Sequence, residues 1–162
     1  MKKSVKNNGI IQLAFKDKIK KFKPIVILID ISGSMESYSR IMLFLSHLLI
    51  QQFKDVEIFT FGTKLTRITQ FLKNKDVDLS LDKVGKSVND WAAGTKITSS
   101  IKDFNLNWSR RILTQNQKLL LITDGLERED KKNLDFEFER LSLFSQNIIW
   151  LNPLLRYKKF EP

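Results

Sequence analysis

The sequence predicts an α/β fold with a doubly wound, mostly parallel central sheet flanked by helices, and three observations support it. Two short runs, at 25–29 and 119–123, are almost entirely apolar, which is typical of central parallel strands covered on both faces. Stretches with helical spacing of apolar residues separate the predicted strands, so strands and helices alternate. The chain has 162 residues, 42% of them hydrophobic and 28% charged, which fits one domain.

Changes in apolar periodicity define the elements in order. Pro24 opens the first apolar run, which ends at Asp30 and is followed by a turn at 31–34. Beyond that turn, apolar residues at 41, 44, 45, 48 and 49 follow helical spacing. We predict strands at 25–29, 56–61, 65–68, 119–123 and 148–151, and helices at 36–53, 77–88, 97–108 and 131–145. The last helix should turn Leu134, Phe138, Leu141 and Phe144 inward.

The net charge of +10 is concentrated at one end of the chain. Residues 1–23 hold eight lysines against Asp17, a net charge of +7, which leaves +3 for all the rest. We interpret 1–23 as a basic leader, extended or partly disordered, before a domain at 24–162; a weak strand signal lies within it at 11–15. Such a leader could bind nucleic acid or an acidic surface, although no aromatic stacking platform accompanies it.

Composition also excludes several classes of site. The chain has no cysteine, which removes disulfides, thiolate zinc sites and cysteine nucleophiles. Its one histidine, His47, lies in the middle of a predicted helix, where a structural role or a surface position is expected. No apolar run approaches the roughly 20 residues that span a bilayer, and the start lacks the features of a secretory signal. A cytoplasmic location is therefore the expectation.

Five oxygen-bearing side chains lie at predicted strand ends or loops. Asp30, Ser32 and Ser34 leave the first strand at alternate positions, so they can point the same way. Asp124 ends another apolar strand, and Thr95 lies in a loop. In parallel sheets, ligands bind at the carboxyl ends of the strands. Two carboxylates and three hydroxyls would suit Mg²⁺, with Mn²⁺ or Ca²⁺ as alternatives. Each residue alone also fits a helix cap or an ordinary turn.

These residues resemble a known family. Asp30-x-Ser32-x-Ser34, Thr95 and Asp124 look like the metal-ion-dependent adhesion site (MIDAS) of von Willebrand factor A (VWA) domains, which have a Rossmann-like fold. Further strings are similar to the CoxE-like branch of these domains, and the resemblance covers about residues 9–162. The strings are Asp30-Ile-Ser-Gly-Ser-Met, Tyr38-Ser-Arg, Phe59-Thr-Phe-Gly-Thr, Leu65-Thr-Arg, Asp90-Trp91 and Trp150-Leu-Asn-Pro-Leu154.

The resemblance implies a non-enzymatic, metal-dependent protein-binding module. In this family the two serines and the threonine contact the ion most directly, and the aspartates act partly through water. A partner's Asp or Glu supplies the remaining ligand. CoxE-like proteins are associated with MoxR-type AAA+ ATPases, as chaperones that remodel client enzymes or insert metal into them. We expect a partner-binding rim of Gly33, Met35, Glu36, Trp91, Gly94 and Glu127.

The sequence departs from longer relatives in three respects. Those relatives carry a helical region before the domain and a further helix after the Trp-Leu-Asn-Pro-Leu string, so this chain is expected to lack a final helix. Lys96 stands where many A domains have aspartate, although CoxE-like members tolerate a basic residue there.

An enzyme is the remote alternative. Asp30 could be a phosphatase nucleophile, but haloacid-dehalogenase-type enzymes need a second acid where Ser32 stands. Neither a P-loop frame nor a Gly-x-Ser-x-Gly elbow is present, so we expect a protein without catalytic activity.

Overall fold

The computed structural model describes residues 24–92, 94–113, 117–126, 131–145 and 147–156. The strands of this part are β1 (Ile25–Asp30), β2 (Val56–Phe61), β3 (Leu65–Arg67), β4 (Lys118–Ile122) and β5 (Asn147–Leu151). Its helices are α1 (Glu36–Gln52), α2 (Val77–Ser87), α3 (Ile97–Asn107), α4 (Ser109–Ile112) and α5 (Lys131–Ser142). Short 3₁₀ turns cover Gly33–Met35, Phe71–Lys73 and Pro153–Arg156. The basic leader and its weak strand signal lie outside the described residues.

The strands form one sheet in the order β3-β2-β1-β4-β5. Strands β2, β1, β4 and β5 are parallel, whereas β3 is antiparallel to β2. The connection from β2 to β3 covers only residues 62–64, too short for the crossover that a parallel neighbour requires. The predicted α/β architecture with a mostly parallel sheet and flanking helices is therefore confirmed.

Each face of the sheet has its own hydrophobic core. Ile27 and Ile29 of β1 point to one face, where α1 and α2 cover them through residues such as Leu43 and Val84. Alternate β1 residues, Val26 and Leu28, point to the other face. There they pack with a second cluster from β2, α3, β4 and α5 that includes Phe59, Phe104, Leu119 and Leu141. This double burial explains why β1 is apolar at consecutive positions.

Helix α5 turns the expected residues inward. Leu141 is fully buried, and Leu134 and Phe138 pack partly buried against the same cluster. The helix ends at Ser142 rather than at 145, so Phe144 packs there from the turn that follows it. Helix α4, a single turn after α3, was not predicted. None of the helices in the described ranges is both long and apolar enough to cross a bilayer.

Helix α1 is oriented differently from what its apolar pattern indicates. The face that packs on the sheet buries Ser39, Leu43, Ser46 and His47. The apolar residues at 41, 44, 45 and 48 are exposed instead. Small hydroxyl side chains let the helix approach the sheet closely, and the Ser39 hydroxyl donates to the Asp30 carbonyl at 3.1 Å. His47 is structural, as predicted, with its Nε2 2.9 Å from the Asn74 carbonyl.

Candidate metal centre

The register of the sheet brings the two predicted aspartates to one edge. Strands β1 and β4 are parallel neighbours in which Ile29 pairs with Ile122. Asp30 and Asp124 therefore leave the carboxyl ends of adjacent strands. Both side chains are fully buried, although aspartate rarely is without a partner.

Asp30 has hydrogen bonds to both of its carboxylate oxygens. Oδ1 accepts from the Ser32 backbone N–H at 2.8 Å, and Oδ2 accepts from the Thr123 hydroxyl at 2.6 Å. Burial raises the pKa of Asp30 above its ordinary value; hydrogen bonds from Thr123 and Ser32 offset part of that rise, and the charge of Asp124 adds to it. A cation beside this carboxylate would stabilise its charged form.

Asp124 has one satisfied oxygen and one unsatisfied oxygen. Oδ1 accepts from the Leu126 backbone N–H at 3.0 Å, the bond expected of an ordinary aspartate turn. Oδ2 is buried and has no hydrogen-bond partner in the described part of the chain. An unpaired buried carboxylate oxygen is costly, so a turn alone does not account for this residue.

Ser32 and Ser34 place two hydroxyls beside Asp30. The two Oγ atoms lie 3.2 Å apart, and Ser32 is buried whereas Ser34 is exposed. Ser32 occupies the N-cap position of the 3₁₀ turn, yet its side chain makes no capping hydrogen bond. Helix capping therefore does not explain the serine at 32.

Thr95 is held towards the same edge from both sides. On one side, the Ala92 backbone N–H donates to the Ile31 carbonyl at 3.1 Å. On the other side, the Lys96 N–H donates to the Gly62 carbonyl at 2.9 Å. Thr95 is buried and is not the N-cap of α3, because Lys96 occupies that position.

Asp90 fixes the loop that carries Thr95, a role the sequence reasoning did not assign. Its Oδ2 accepts from the Thr63 N–H at 2.6 Å, the Thr63 hydroxyl at 3.0 Å and the Lys64 N–H at 2.9 Å. A Cβ on Gly62 would lie 3.0 Å from the same oxygen and 3.2 Å from the Asp90 carbonyl oxygen, so this close approach favours glycine. Only the tertiary fold shows the partnership, because 26 or 27 residues separate the partners.

Trp150 near the end of β5 and Asn152 just after it hold the backbone at Thr123 and Asp124. Trp150 Nε1 donates to the Thr123 carbonyl at 3.2 Å, and Asn152 Nδ2 donates to the Asp124 carbonyl at 2.7 Å. Gly125 has a φ of 82°, which favours glycine and turns the chain immediately after Asp124. The Trp-Leu-Asn-Pro-Leu string thus has a physical role at the site.

The predicted rim residues differ in their exposure to solvent. Gly33, Glu36 and Trp91 are exposed, and Gly94 is partly buried. Met35 was predicted at the rim, but this is wrong: its side chain is fully buried in the core beneath α1. Glu127 lies outside the described residues.

Together, the donors at this edge fit a small, hard divalent cation. Two carboxylates balance its charge, and three hydroxyls that no helix cap uses add neutral oxygen donors. No group of three Asp, Glu, His or Cys side chains suited to a metal occurs among the described residues, so the hydroxyls are essential to the set. Thr123, which the sequence reasoning treated only as a strand residue, joins the two aspartates through its bond to Asp30.

A comparison with a solved structure shows the same fold, and two further structures align less closely. Proximal thread matrix protein 1 from the mussel byssus aligns at 18% identity with a TM-score of 0.51, over 80% of this chain and 37% of that one. A form of that protein with a zinc-occupied MIDAS motif aligns at 16% identity over 80% of this chain and 37% of that one, with a TM-score of 0.49. Manganese-loaded TRAP protein from Plasmodium vivax aligns at 19% identity over 88% of this chain and 65% of that one, also with a TM-score of 0.49. No curated protein matches the sequence significantly.

The family comparison covers the whole chain. The model of the "VWA domain containing CoxE-like protein" family matches residues 1–162, which include the strand ends, the loops and the Trp-Leu-Asn-Pro-Leu string described above. The chain therefore belongs to the family of VWA domain-containing CoxE-like proteins.

Proposed function

We propose that this chain is a non-enzymatic protein-binding module whose binding depends on a divalent cation, Mg²⁺ by preference. Asp30, Ser32, Ser34, Thr95 and Asp124 would hold the ion. The observation that carries this proposal is the buried, unpaired Oδ2 of Asp124 beside a second buried carboxylate. A cation would supply the missing partner for Oδ2 and compensate both charges.

The chain's own residues would orient the donors. Thr123 and the Ser32 N–H fix the carboxylate plane of Asp30, and the Leu126 N–H fixes Oδ1 of Asp124 so that Oδ2 stays free. Because the serine and threonine hydroxyls are neutral, the ion would keep enough positive charge to attract an acidic side chain from a partner. When bound, the ion supplies that charge at the surface of the domain.

The donor set supports binding rather than catalysis. Ser32 stands where a phosphatase of the haloacid dehalogenase type needs its second acid. The histidine that could activate a serine, His47, is buried and makes its hydrogen bond to Asn74. We therefore assign no catalytic residue.

The partner we propose is a MoxR-type AAA+ ATPase, or a metalloenzyme client that the two proteins mature together. The resemblance to CoxE-like proteins supports this choice. The partner would contribute an Asp or Glu to the ion.

The experiment is a pull-down from native lysate with and without EDTA, using the full chain as bait. It is repeated with Asp30→Ala, Thr95→Ala and a control, Asp55→Ala, in which an exposed aspartate before β2 is replaced. We expect the ATPase or client to be lost in EDTA and with the first two variants, and retained with the control. Recovery of the same proteins in every condition would refute metal-dependent docking.

A further inference from the structure

A groove of about 1150 Å³ runs between α1 and α2 on the side of the sheet covered by these helices. Its floor includes Ile31 and Leu43, and the facing stripes of the two helices form its walls. Trp91 and Ala92 line it next to the loop that carries Thr95.

The groove begins at the candidate metal centre. Ile31 lies between Asp30 and Ser32, and its carbonyl accepts the hydrogen bond from Ala92. Glu36, directly after the 3₁₀ turn at Gly33–Met35, also lines the groove. A partner segment with a carboxylate on the ion would therefore continue into this groove.

Large apolar side chains are exposed along the groove. On α1, Ile41 is 57% exposed and Phe44 44%, although a helix normally turns such residues to the core. Trp91, in the loop before α3, is 38% exposed. Exposed aromatic and aliphatic side chains in a concave surface are typical anchors for a protein partner. The orientation of α1 thus creates an apolar surface next to the site.

The charge of the groove differs from that of the chain. Its lining contains Glu36, Asp78 and Asp82 against one basic residue, Arg40, whereas the whole chain carries +10. Asp82 is paired with Lys86 at 2.6 Å, but Glu36 and Asp78 have no ion pair with any other described residue. Lysine or arginine on a partner would complement these two carboxylates.

We propose that the groove binds the part of the partner protein next to its metal-binding carboxylate, and that this part is a short amphipathic segment with apolar and basic side chains. This inference rests on the proposed function, because the ion would fix the end of the segment. The α1 wall from Glu36 to Phe44 is about 12 Å long, which about eight helical residues would cover. Apolar side chains of the segment would contact Ile41, Phe44 and Trp91.

Gly85 offers a way to fill the groove without disturbing the core. It lies on the α2 wall, and a Cβ added there would meet nothing within 4 Å. Gly85→Trp should therefore project into the groove, whereas Gly85→Ala should leave it open and favour the helix. The two variants form a matched pair, and thermal melting of each checks that it folds.

The experiment uses a display library of short peptides, each with one fixed aspartate among randomised positions, selected against the full chain in Mg²⁺. We expect selected peptides to carry apolar residues and Lys or Arg beside the aspartate. Their affinity, measured by fluorescence anisotropy, should fall at least about tenfold with Gly85→Trp and remain within about twofold with Gly85→Ala. The double variant Glu36→Lys with Asp78→Lys should remove the preference for basic residues.

Two results separate this inference from the metal-dependent function. Binding that is lost in EDTA and with Asp30→Ala, yet unchanged by Gly85→Trp, would overturn the groove and leave the proposed function standing. Binding that survives EDTA but is lost with Gly85→Trp would support the groove and overturn the proposed function. Selected peptides with no apolar or basic preference would also overturn the groove.

Other occupants would be recognised in the same system. A second copy of the chain would appear as concentration-dependent dimerisation that Gly85→Trp abolishes. Residues 10–23, which combine apolar and lysine residues, would compete with the peptides, so Phe15→Ser with Ile19→Ser would raise peptide affinity at least about tenfold. Either result would overturn the assignment of the groove to a separate partner protein.

Discussion

Replacing Asp30 with asparagine should separate the cost of its buried charge from its use in binding metal. Asparagine keeps an oxygen for the Ser32 N–H, and its amide can donate to the Thr123 hydroxyl in place of the present bond. The substitution therefore keeps a hydrogen bond to each partner while it removes the carboxylate charge that burial disfavours, as the raised pKa of Asp30 shows. Without metal, we expect the variant to be more stable than the parent by on the order of 1 kcal/mol.

Bound Mg²⁺ should stabilise the parent chain more than removal of the buried charge stabilises the variant. A ligand at about 100 times its dissociation constant stabilises the folded state by about 2.7 kcal/mol. For a domain of this size, each 1 kcal/mol raises the melting temperature by about 2–4 °C, so Mg²⁺ should raise it by about 5–11 °C. The Asp30→Asn variant should show no Mg²⁺-dependent rise.

The assay is thermal unfolding of both proteins, followed by circular dichroism, in EDTA and over a Mg²⁺ titration. A variant that melts below the parent in EDTA would refute the account of the buried charge. A variant that keeps the full Mg²⁺ response would refute the role of Asp30 as a metal ligand.

Three further predictions follow from particular contacts. Asp90→Ala should lower the free energy of unfolding by about 1–3 kcal/mol, because three donors lose their shared acceptor. It should also weaken Mg²⁺ binding, because the loop that carries Thr95 is released. Calorimetry that shows unchanged Mg²⁺ affinity would contradict this prediction. Burial alone would raise the pKa of Glu57, but hydrogen bonds from Arg67 and Thr69 lower it below the ordinary 4.5, so the folded state prefers its charged form. Glu57→Gln should therefore lower the free energy of unfolding by about 0.5–1 kcal/mol at neutral pH. The difference in stability from the parent should fade as pH drops through and below 4.5. A difference that grows in acid would refute the lowered pKa of Glu57. Any DNA binding by the +7 leader should weaken steeply with salt and survive Asp30→Ala, whereas DNA binding abolished by that variant would contradict a separate basic leader.

The parts of the fold that depend on local pattern were predictable. Strands β1 and β4 are apolar at consecutive positions because both of their faces are covered, and each of these runs leads to an aspartate at the same sheet edge. The antiparallel direction of β3 also follows from the short connection at 62–64. The positions of the strands and of the longer helices therefore needed little beyond periodicity, whereas the strand order comes from the structure.

The orientation of α1 could not be predicted from its apolar residues. Its buried face carries two serines and a histidine, and only the fold brings Ser39 to the Asp30 carbonyl and His47 Nε2 to the Asn74 carbonyl. A pattern that assumes apolar residues face inward assigns that face to solvent. The exposed groove next to α1 has the same origin.

The supporting contacts of the site also required the tertiary structure. The Thr123 hydroxyl reaches Asp30 across 93 residues of sequence, and Asp90 reaches Thr63 across 27. The sequence context of Thr123 is that of an ordinary strand residue, and the Asp90-Trp91 string gave no sign of the partners of Asp90. The five donors, in contrast, stand at strand ends and loops where alternation and strand order place them.

The most direct test of the central claim is Mn²⁺-induced line broadening of backbone amide resonances in the full chain. We predict simultaneous loss of the signals around Ser32–Ser34, Thr95 and Asp124, because one ion would lie close to all three segments. The Asp30→Asn variant should keep these signals at the same Mn²⁺ concentration. Broadening confined to exposed acidic residues such as Asp78 and Asp82, or broadening that spares Thr95, would contradict the account.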